Sequence, residues 1–239
     1  MKVLIVTGTN TSVGKTVATA ALFTLISGAG KRVAMVKPVQ TGTDTDEPGD
    51  AATVSRLSGG IAVELSSLPD PLAPDSAARL RDVDIASIGE LAAQASERFA
   101  GYDVGLVEGA GGIMVRLDTD GGTLLDLADA LIDAGHRVSF VIVTSLTLGT
   151  LNHTELTIEA IRRREHDITG LIVGSVPSRL DLAAQRNLLD LPRVARMPVL
   201  ATIPAGVGAL PPADFSNAAA GWFSPAARAY LTGTPTAAD

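Results

Sequence analysis

The chain has 239 residues, 46% of them hydrophobic, and a formal net charge of −7. That length fits one α/β domain with a substantial core, the acidic balance argues against a nucleic-acid partner, and the absence of cysteine excludes disulfides, thiolate metal sites and a cysteine nucleophile. No apolar run approaches the ~20 residues of a membrane span, and the first residues enter a strand with no basic segment and cleavage site before it, so the chain reads as cytoplasmic.

Val3–Thr7 is a continuous apolar, β-branched run, which predicts a strand buried on both faces. A helix follows from Gly14 to about Ser27, with Gly28 and Gly30 to end it, and Val33–Val36 reads as the second strand. Ser66–Asp75 holds three prolines and reads as a loop. Asp84–Phe99 carries Ile85, Ile88, Leu91, Ala92, Ala95 and Phe99 at helical spacing. Strand Val104–Val107, helix Thr123–Ala134 (stopped by Gly135), strand Val138–Thr144 and helix Thr150–Arg164 come next, then strand Gly170–Val173, helix Asp181–Leu189 and strand Val199–Ile203. Arg162, Arg163 and Arg164 close a helix, where cations complement the macrodipole, and are not read as a nucleic-acid patch. No repeat or linker divides the chain, so residues 1–231 read as one domain and 232–239 as a frayed polar tail.

Strands alternating with helices imply right-handed βαβ crossovers and a mainly parallel sheet flanked by helices on both faces. Ligands then sit beyond the carboxyl ends of the strands, and the chemical motifs fall there. Gly8–Thr16 reads GTNTSVGKT between the first strand and first helix. Consecutive backbone N–H groups of such a loop, with the helix N-terminus behind them, bind phosphate oxygens. Lys15 would reach the β- and γ-phosphates of a nucleoside triphosphate, and the Thr16 hydroxyl would ligate magnesium. Five residues separate the first glycine from GK, one more than the usual four, so this is a variant phosphate-binding loop (P-loop).

The second motif, Lys37-Pro38-Val39-Gln40-Thr41-Gly42, ends strand two. A lysine after a strand is ordinarily a solvated charge, but beside the P-loop Lys37 reads as functional. In Val107-Glu108-Gly109-Ala110-Gly111-Gly112 a carboxylate follows a buried strand and glycines permit close approach of a ligand. Asp50 reads equally as a further metal ligand or as an N-cap. Leu148-Gly149-Thr150-Leu151-Asn152-His153-Thr154 opens a helix whose amides, with Asn152, can hold a carboxylate. His153 reads as a packing or capping residue, and His136 and His166 as surface residues. There is no serine–histidine–acid pattern and no zinc spacing.

Taken together, GTNTSVGKT, KPVQTG, VEGAGG and LGTLNHT, in that order over the first two-thirds of the chain, resemble the dethiobiotin synthetase family of biotin synthesis. The resemblance implies a P-loop NTPase-like fold. It also implies an ATP-dependent cyclo-ligase that adds carbon dioxide to 7,8-diaminopelargonate, phosphorylates the carbamate and closes the ureido ring. By the same resemblance Thr16, Asp50 and Glu108 would hold Mg2+, and Lys15, Lys37 and Thr11 would be catalytic. Nucleotide would be bound by Ser12, Val13, Gly14, Lys15, Thr16, Val17, Asp50, Glu108, Gly109, Ala110, Gly111, Gly174, Ser175, Pro204, Ala205 and Gly206. Substrate would be bound by Lys37, Thr41, Gly149, Thr150, Leu151 and Asn152, with Gly149–Asn152 reaching the partner's site in a homodimer. Two departures stand out. Asn10 replaces a commonly acidic residue, and Gly174-Ser175 stand where many relatives have an asparagine that reads adenine. Rival readings fit less well. Amide ligases of the same deviant P-loop group that act on corrinoids usually carry a glutaminase domain with a cysteine nucleophile. ATPase switches of the ParA and MinD type carry a lysine at the position of Asn10. A module that had lost its chemistry would not retain Lys15, Thr16, Lys37 and Glu108.

Overall fold

The alternating apolar segments form seven strands and nine helices among the described residues, 1–44 and 48–234 of a computed structural model. The strands are β1 (Lys2–Gly8), β2 (Val33–Thr41), β3 (Ile61–Leu68), β4 (Val104–Gly112), β5 (Arg137–Thr144), β6 (Asp167–Val176) and β7 (Val199–Pro204). They make one parallel sheet in the order β3-β2-β4-β1-β5-β6-β7. β1 is central because both of its faces are apolar. Val3 and Ile5 point into one core and Leu4 and Val6 into the other, all fully buried.

Helices α1 (Lys15–Gly28), α2 (Asp50–Ser58), α8 (Pro212–Ala219) and α9 (Pro225–Thr232) cover one face of the sheet. Helices α3 (Pro74–Arg81), α4 (Ile88–Arg98), α5 (Leu124–Asp133), α6 (Thr150–Arg163) and α7 (Leu182–Ala195) cover the other. The expected parallel α/β architecture with helices on both faces is therefore present. None of these helices is long and apolar enough to cross a membrane.

Several boundaries differ from the sequence reading, each for a local reason. β3 takes in Ser66–Leu68, and α3 begins at Pro74, so the proline-containing loop is shorter than Ser66–Asp75. β3 is an edge strand with exposed and half-buried residues, and it lacks the apolar run that marks the central strands. α4 begins at Ile88 and not at Asp84, because Ser87 and Glu90 form a reciprocal capping box. α7 runs on past Leu189 with Pro192 inside it. The helices α8 and α9, unforeseen, both open with proline at the first helical position. Thr232, the first residue assigned to the tail, is the last residue of α9 and is buried. Residues 235–239 of that tail lie outside the described residues.

Candidate active site

The P-loop runs from the end of β1 to the start of α1. Thr9 N–H donates to the Val143 carbonyl at 2.9 Å, which ties the loop to β5. Ser12 and Gly14 both take positive φ, 56° and 92°, the alternation that turns successive amides inward as an anion nest. A β-carbon on Gly14 would lie 2.4 Å from the Gly174 carbonyl oxygen, and one on Gly174 would lie 2.1 Å from that of Val13. Neither position admits a side chain, so the P-loop is pressed against the carboxyl end of β6.

Beside the loop, one hydroxyl, two carboxylates and two ammonium groups come together from four elements. Thr16 at the start of α1 places its Oγ1 2.7 Å from Asp50 Oδ1 and 2.9 Å from Glu108 Oε1. Asp50 opens α2 and Glu108 lies on β4. Lys37, on β2, is 3% exposed. Its Nζ ion-pairs with Asp50, donates to the Gly109 carbonyl at 3.0 Å and lies 3.4 Å from Glu108 Oε1. Lys15 Nζ donates to the Asn10 carbonyl at 3.1 Å, within the P-loop itself.

The electrostatics follow from burial and pairing. Burial pulls the Lys37 ammonium down, but Glu108 and Asp50 more than reverse this and hold it above its ordinary value. Burial pushes Asp50 up, yet Lys37, with the Thr16 hydroxyl and Lys15, holds it below the usual carboxylate range. Glu108 is fully buried, and burial keeps it raised against the pull of Lys37. Lys15 is lowered by burial and by the neighbouring charge of Lys37.

These residues fit a divalent cation. The Thr16 hydroxyl has one proton but two carboxylate oxygens within hydrogen-bond reach, so one of those contacts is uncompensated. Glu108 Oε2 is buried without any hydrogen-bond partner, a costly state for a carboxylate oxygen. A hard cation would satisfy all three side chains. Among the described residues no group of three or more His, Cys, Asp or Glu gathers for a metal. Two carboxylates and a hydroxyl suit Mg2+, which keeps several waters and takes its remaining ligands from phosphate.

The cleft over this cluster has a volume of about 900 Å³. Thr11, Ser12, Gly14, Lys15, Thr16 and Val17 line one side, Lys37, Thr41 and Asp50 another, and Ala110 and Gly111 a third. Val13, Glu108 and Gly109 are close by but do not line it. Pro71–Ala73 of the β3–α3 connection and Pro74 at the start of α3 also line it.

A family model described as an AAA domain matches residues 2–207. The ATP-dependent dethiobiotin synthetase BioD of Streptomyces coelicolor is 48% identical over 226 residues, 94% of this chain and 93% of that protein. That of Rhodococcus jostii is 48% identical over 224 residues, 93% of this chain and 95% of its own. This chain belongs to the ATP-dependent dethiobiotin synthetase family. It is a P-loop ligase of biotin synthesis. Among solved structures, the cell-division ATPase MinD of Pyrococcus furiosus superposes with a TM-score of 0.54 at 18% identity, covering 97% of this chain and 96% of its own. A chain of the MinC:MinD cell division protein complex of Aquifex aeolicus gives 0.55 at 13% identity, covering 98% of this chain and 94% of that one. At these identities the likeness is one of fold, and the synthetase relatives decide the family.

Within this member of the family, the remaining predicted site residues lie outside the cleft. Gly174 and Ser175 lie next to the last residue of β6, Val176, beside the Pro204–Gly206 turn, and Ala205 N–H donates to the Val176 carbonyl at 2.8 Å. Next along that turn, a β-carbon on Gly208 would meet Val17 at 3.0 Å, so this corner flanks the start of α1. Gly149 caps α6 with φ 95°. Thr150 is buried and bonded to Thr144 and to the Ser145 carbonyl, Leu151 is half-buried, and Asn152 is exposed. His166 is not a surface residue. It packs on Phe140 with ring centroids 5.5 Å apart, and its Nε2 lies 3.2 Å from Asp129 Oδ1. His136 is half-buried against Ser96 and Phe99. His153 stands in the first turn of α6, away from the cleft. Among the cleft residues to which no role was assigned are Gln40 and Pro71–Pro74. Gln40 lies inside a quoted motif, but an amide three residues after a lysine carries no signal of its own.

Proposed function

We propose that this enzyme makes dethiobiotin from 7,8-diaminopelargonate, CO2 and ATP, releasing ADP and phosphate. The observation that carries the reading is Lys37, buried between Asp50 and Glu108 at the carboxyl edge of the sheet and facing both the P-loop and Thr41. A nucleotide-hydrolysing switch needs cations on the phosphates. A second, deeply held lysine, supplied from β2 beside the P-loop, suits an enzyme that must bring an anionic acceptor to an anionic donor.

The amine of the substrate attacks CO2, forming an N–C bond, and loses a proton to leave a carbamate. A carbamate oxygen takes the γ-phosphoryl group, and ADP leaves. The second amine attacks the carbamoyl carbon, phosphate departs, and loss of a proton completes the ureido ring. Lys15 and the P-loop amides of Ser12–Val17 hold the phosphates. Lys37 steadies the charge shared by the carbamate and the transferred group, while Thr11 and Thr41 position the diamine. Thr16, Asp50 and Glu108 would hold Mg2+, which supplies charge neutralisation on the phosphates when bound.

The base corner offers backbone groups of Gly174–Ser175 and Pro204–Gly206 and no amide side chain, so base discrimination is weak. We assign Gly149–Asn152 to the substrate carboxylate of the partner in a homodimer. Its position outside the cleft of its own chain and the adjoining Leu148, 89% exposed, support that assignment. Residues 1–231 act as the catalytic unit, in the cytoplasm, with no nucleic-acid or membrane partner. The test is incubation with diaminopelargonate, bicarbonate, Mg2+ and ATP, with dethiobiotin read by mass spectrometry. No product from protein that binds Mg2+–ATP would overturn the reading.

A further inference from the structure

Gln40 is the penultimate residue of β2 and lines the cleft between Thr41 and Asp50. Its side-chain amide is used at both ends. Nε2 donates to the Thr41 carbonyl at 2.8 Å, and Oε1 accepts the Asp50 N–H at 3.0 Å. One partner is an acceptor and the other a donor, so the amide satisfies both in only one orientation. Neither a carboxylate nor an apolar side chain of equal length can do the same.

The Asp50 N–H is one of the orphan donors at the start of α2. The N-cap residue is Gly49, which has no side chain to cap this helix start. A β-carbon there would lie 2.3 Å from Glu64 Oε1 and 3.6 Å from Gln40 Cγ. The Glu64 side chain crowds that position from the neighbouring strand, and Gln40 accepts the Asp50 N–H from β2. The chain leaves β2 zipped against residues 68–70, with Gly42 N–H on the Asp70 carbonyl at 3.0 Å and Thr43 N–H on that of Leu68 at 3.3 Å. At the other end of the β2–α2 connection, the Gln40 bond fixes where the Asp50 backbone begins.

We infer that Gln40 is a positioning residue that sets the Asp50 carboxylate against Thr16 and Lys37 and, through Thr41, ties the metal side of the cleft to its substrate side. The inference rests on the proposed magnesium role of Asp50. An outer partner of a metal ligand typically changes metal affinity 10- to 100-fold when removed.

The experiment uses Gln40→Met, which keeps the length and loses both bonds, and Gln40→Asn, too short to span both partners. Calorimetry measures binding of a non-hydrolysable ATP analogue with and without Mg2+, and thermal unfolding is followed in parallel. Metal-free binding is expected to stay within about twofold of wild type, while the enhancement by Mg2+ falls about tenfold or more. The KM for the diamine is expected to rise. Asp50→Asn is the control for the underlying assignment. If it leaves the Mg2+ enhancement intact, the metal role of Asp50 is wrong and the inference falls with it. If Asp50→Asn removes the enhancement while both Gln40 variants keep it and only melt earlier, Gln40 is a helix cap and nothing more, and the inference alone is overturned. Gln40→Asn stands in should Gln40→Met fail to fold.

Discussion

Replacing Lys37 with glutamine keeps much of the side chain's reach and removes its charge, and the surroundings of Lys37 fix two separate consequences. On the proposed mechanism, the cation lost in turnover is the one that steadies the transferred phosphoryl group. Loss of one preorganised electrostatic group costs about 10²- to 10³-fold in kcat, or about 2.7–4 kcal/mol. A fall of about 10²-fold or more is expected, with nucleotide affinity changed far less because Lys15 and the loop amides remain. In the free protein, Lys37 neutralises Asp50 and the fully buried Glu108. Removing one partner of a buried pair costs about 3–5 kcal/mol when the other stays charged, but Glu108 has another course open to it. Burial already raises it, and without Lys37 it rises further and takes a proton. An acid whose folded pKa lies above its unfolded value of about 4.3 loses stability as pH climbs between the two, by up to about 1.4 kcal/mol per unit. The deficit of the variant should therefore widen with pH across the interval where Glu108 is ionised beside Lys37 but still protonated without it. Dethiobiotin formation gives kcat, calorimetry gives nucleotide affinity, and urea midpoints over a pH series in magnesium-free buffer give stability. Normal turnover, or a loss traced wholly to ATP binding, would refute the chemical role. A stability gap that narrowed as pH rose would refute the account of Glu108.

Lys15→Ala should abolish productive triphosphate binding, since the P-loop amides alone cannot replace the cation aimed at the phosphates, and wild-type affinity by calorimetry would contradict this. With no amide side chain at Gly174-Ser175, kcat/KM for ATP, CTP and GTP should lie within about an order of magnitude of one another; a strong preference for one nucleotide would mean that backbone groups read the base. Gly174→Ala should weaken nucleotide binding about tenfold or more and cost about 1–3 kcal/mol of stability, because its methyl group would stand 2.1 Å from the Val13 carbonyl oxygen and must push the P-loop away. Unchanged binding and an unchanged melting temperature would mean that the two segments separate freely.

How far the sequence foretells this molecule depends on whether a residue's role is local. β1, β4 and β5 are legible because a strand buried on both faces must be apolar at every position, as at Val3–Val6. β3 is hidden because an edge strand need satisfy only one neighbour, and Glu64, Ser66 and Ser67 carry no period that demands a sheet. The C-terminal helices are hidden for a related reason. α8 and α9 are eight residues each and announce themselves mainly by Pro212 and Pro225, which read as easily as turns. Lys15 and Thr16 stand out in the sequence because the P-loop pattern names its own lysine and hydroxyl.

The same distinction governs the site. Asp50, read alone, is as much an N-cap as a ligand; the structure overturns the cap reading, because Gly49 is the N-cap, Asp50 is the first residue of α2, and its carboxylate turns to Thr16 and Lys37. Its own N–H is accepted from ten positions earlier, by Gln40, at a helix start whose Gly49 is crowded by the Glu64 side chain. No spacing rule links residues 40, 49 and 64. Their relation exists only once β2 and β3 lie side by side, with Lys37 opposite Glu64 in register. A change at Glu64, outside every motif quoted from the sequence, is thereby able to reach Asp50 through the packing of Gly49 and Gln40.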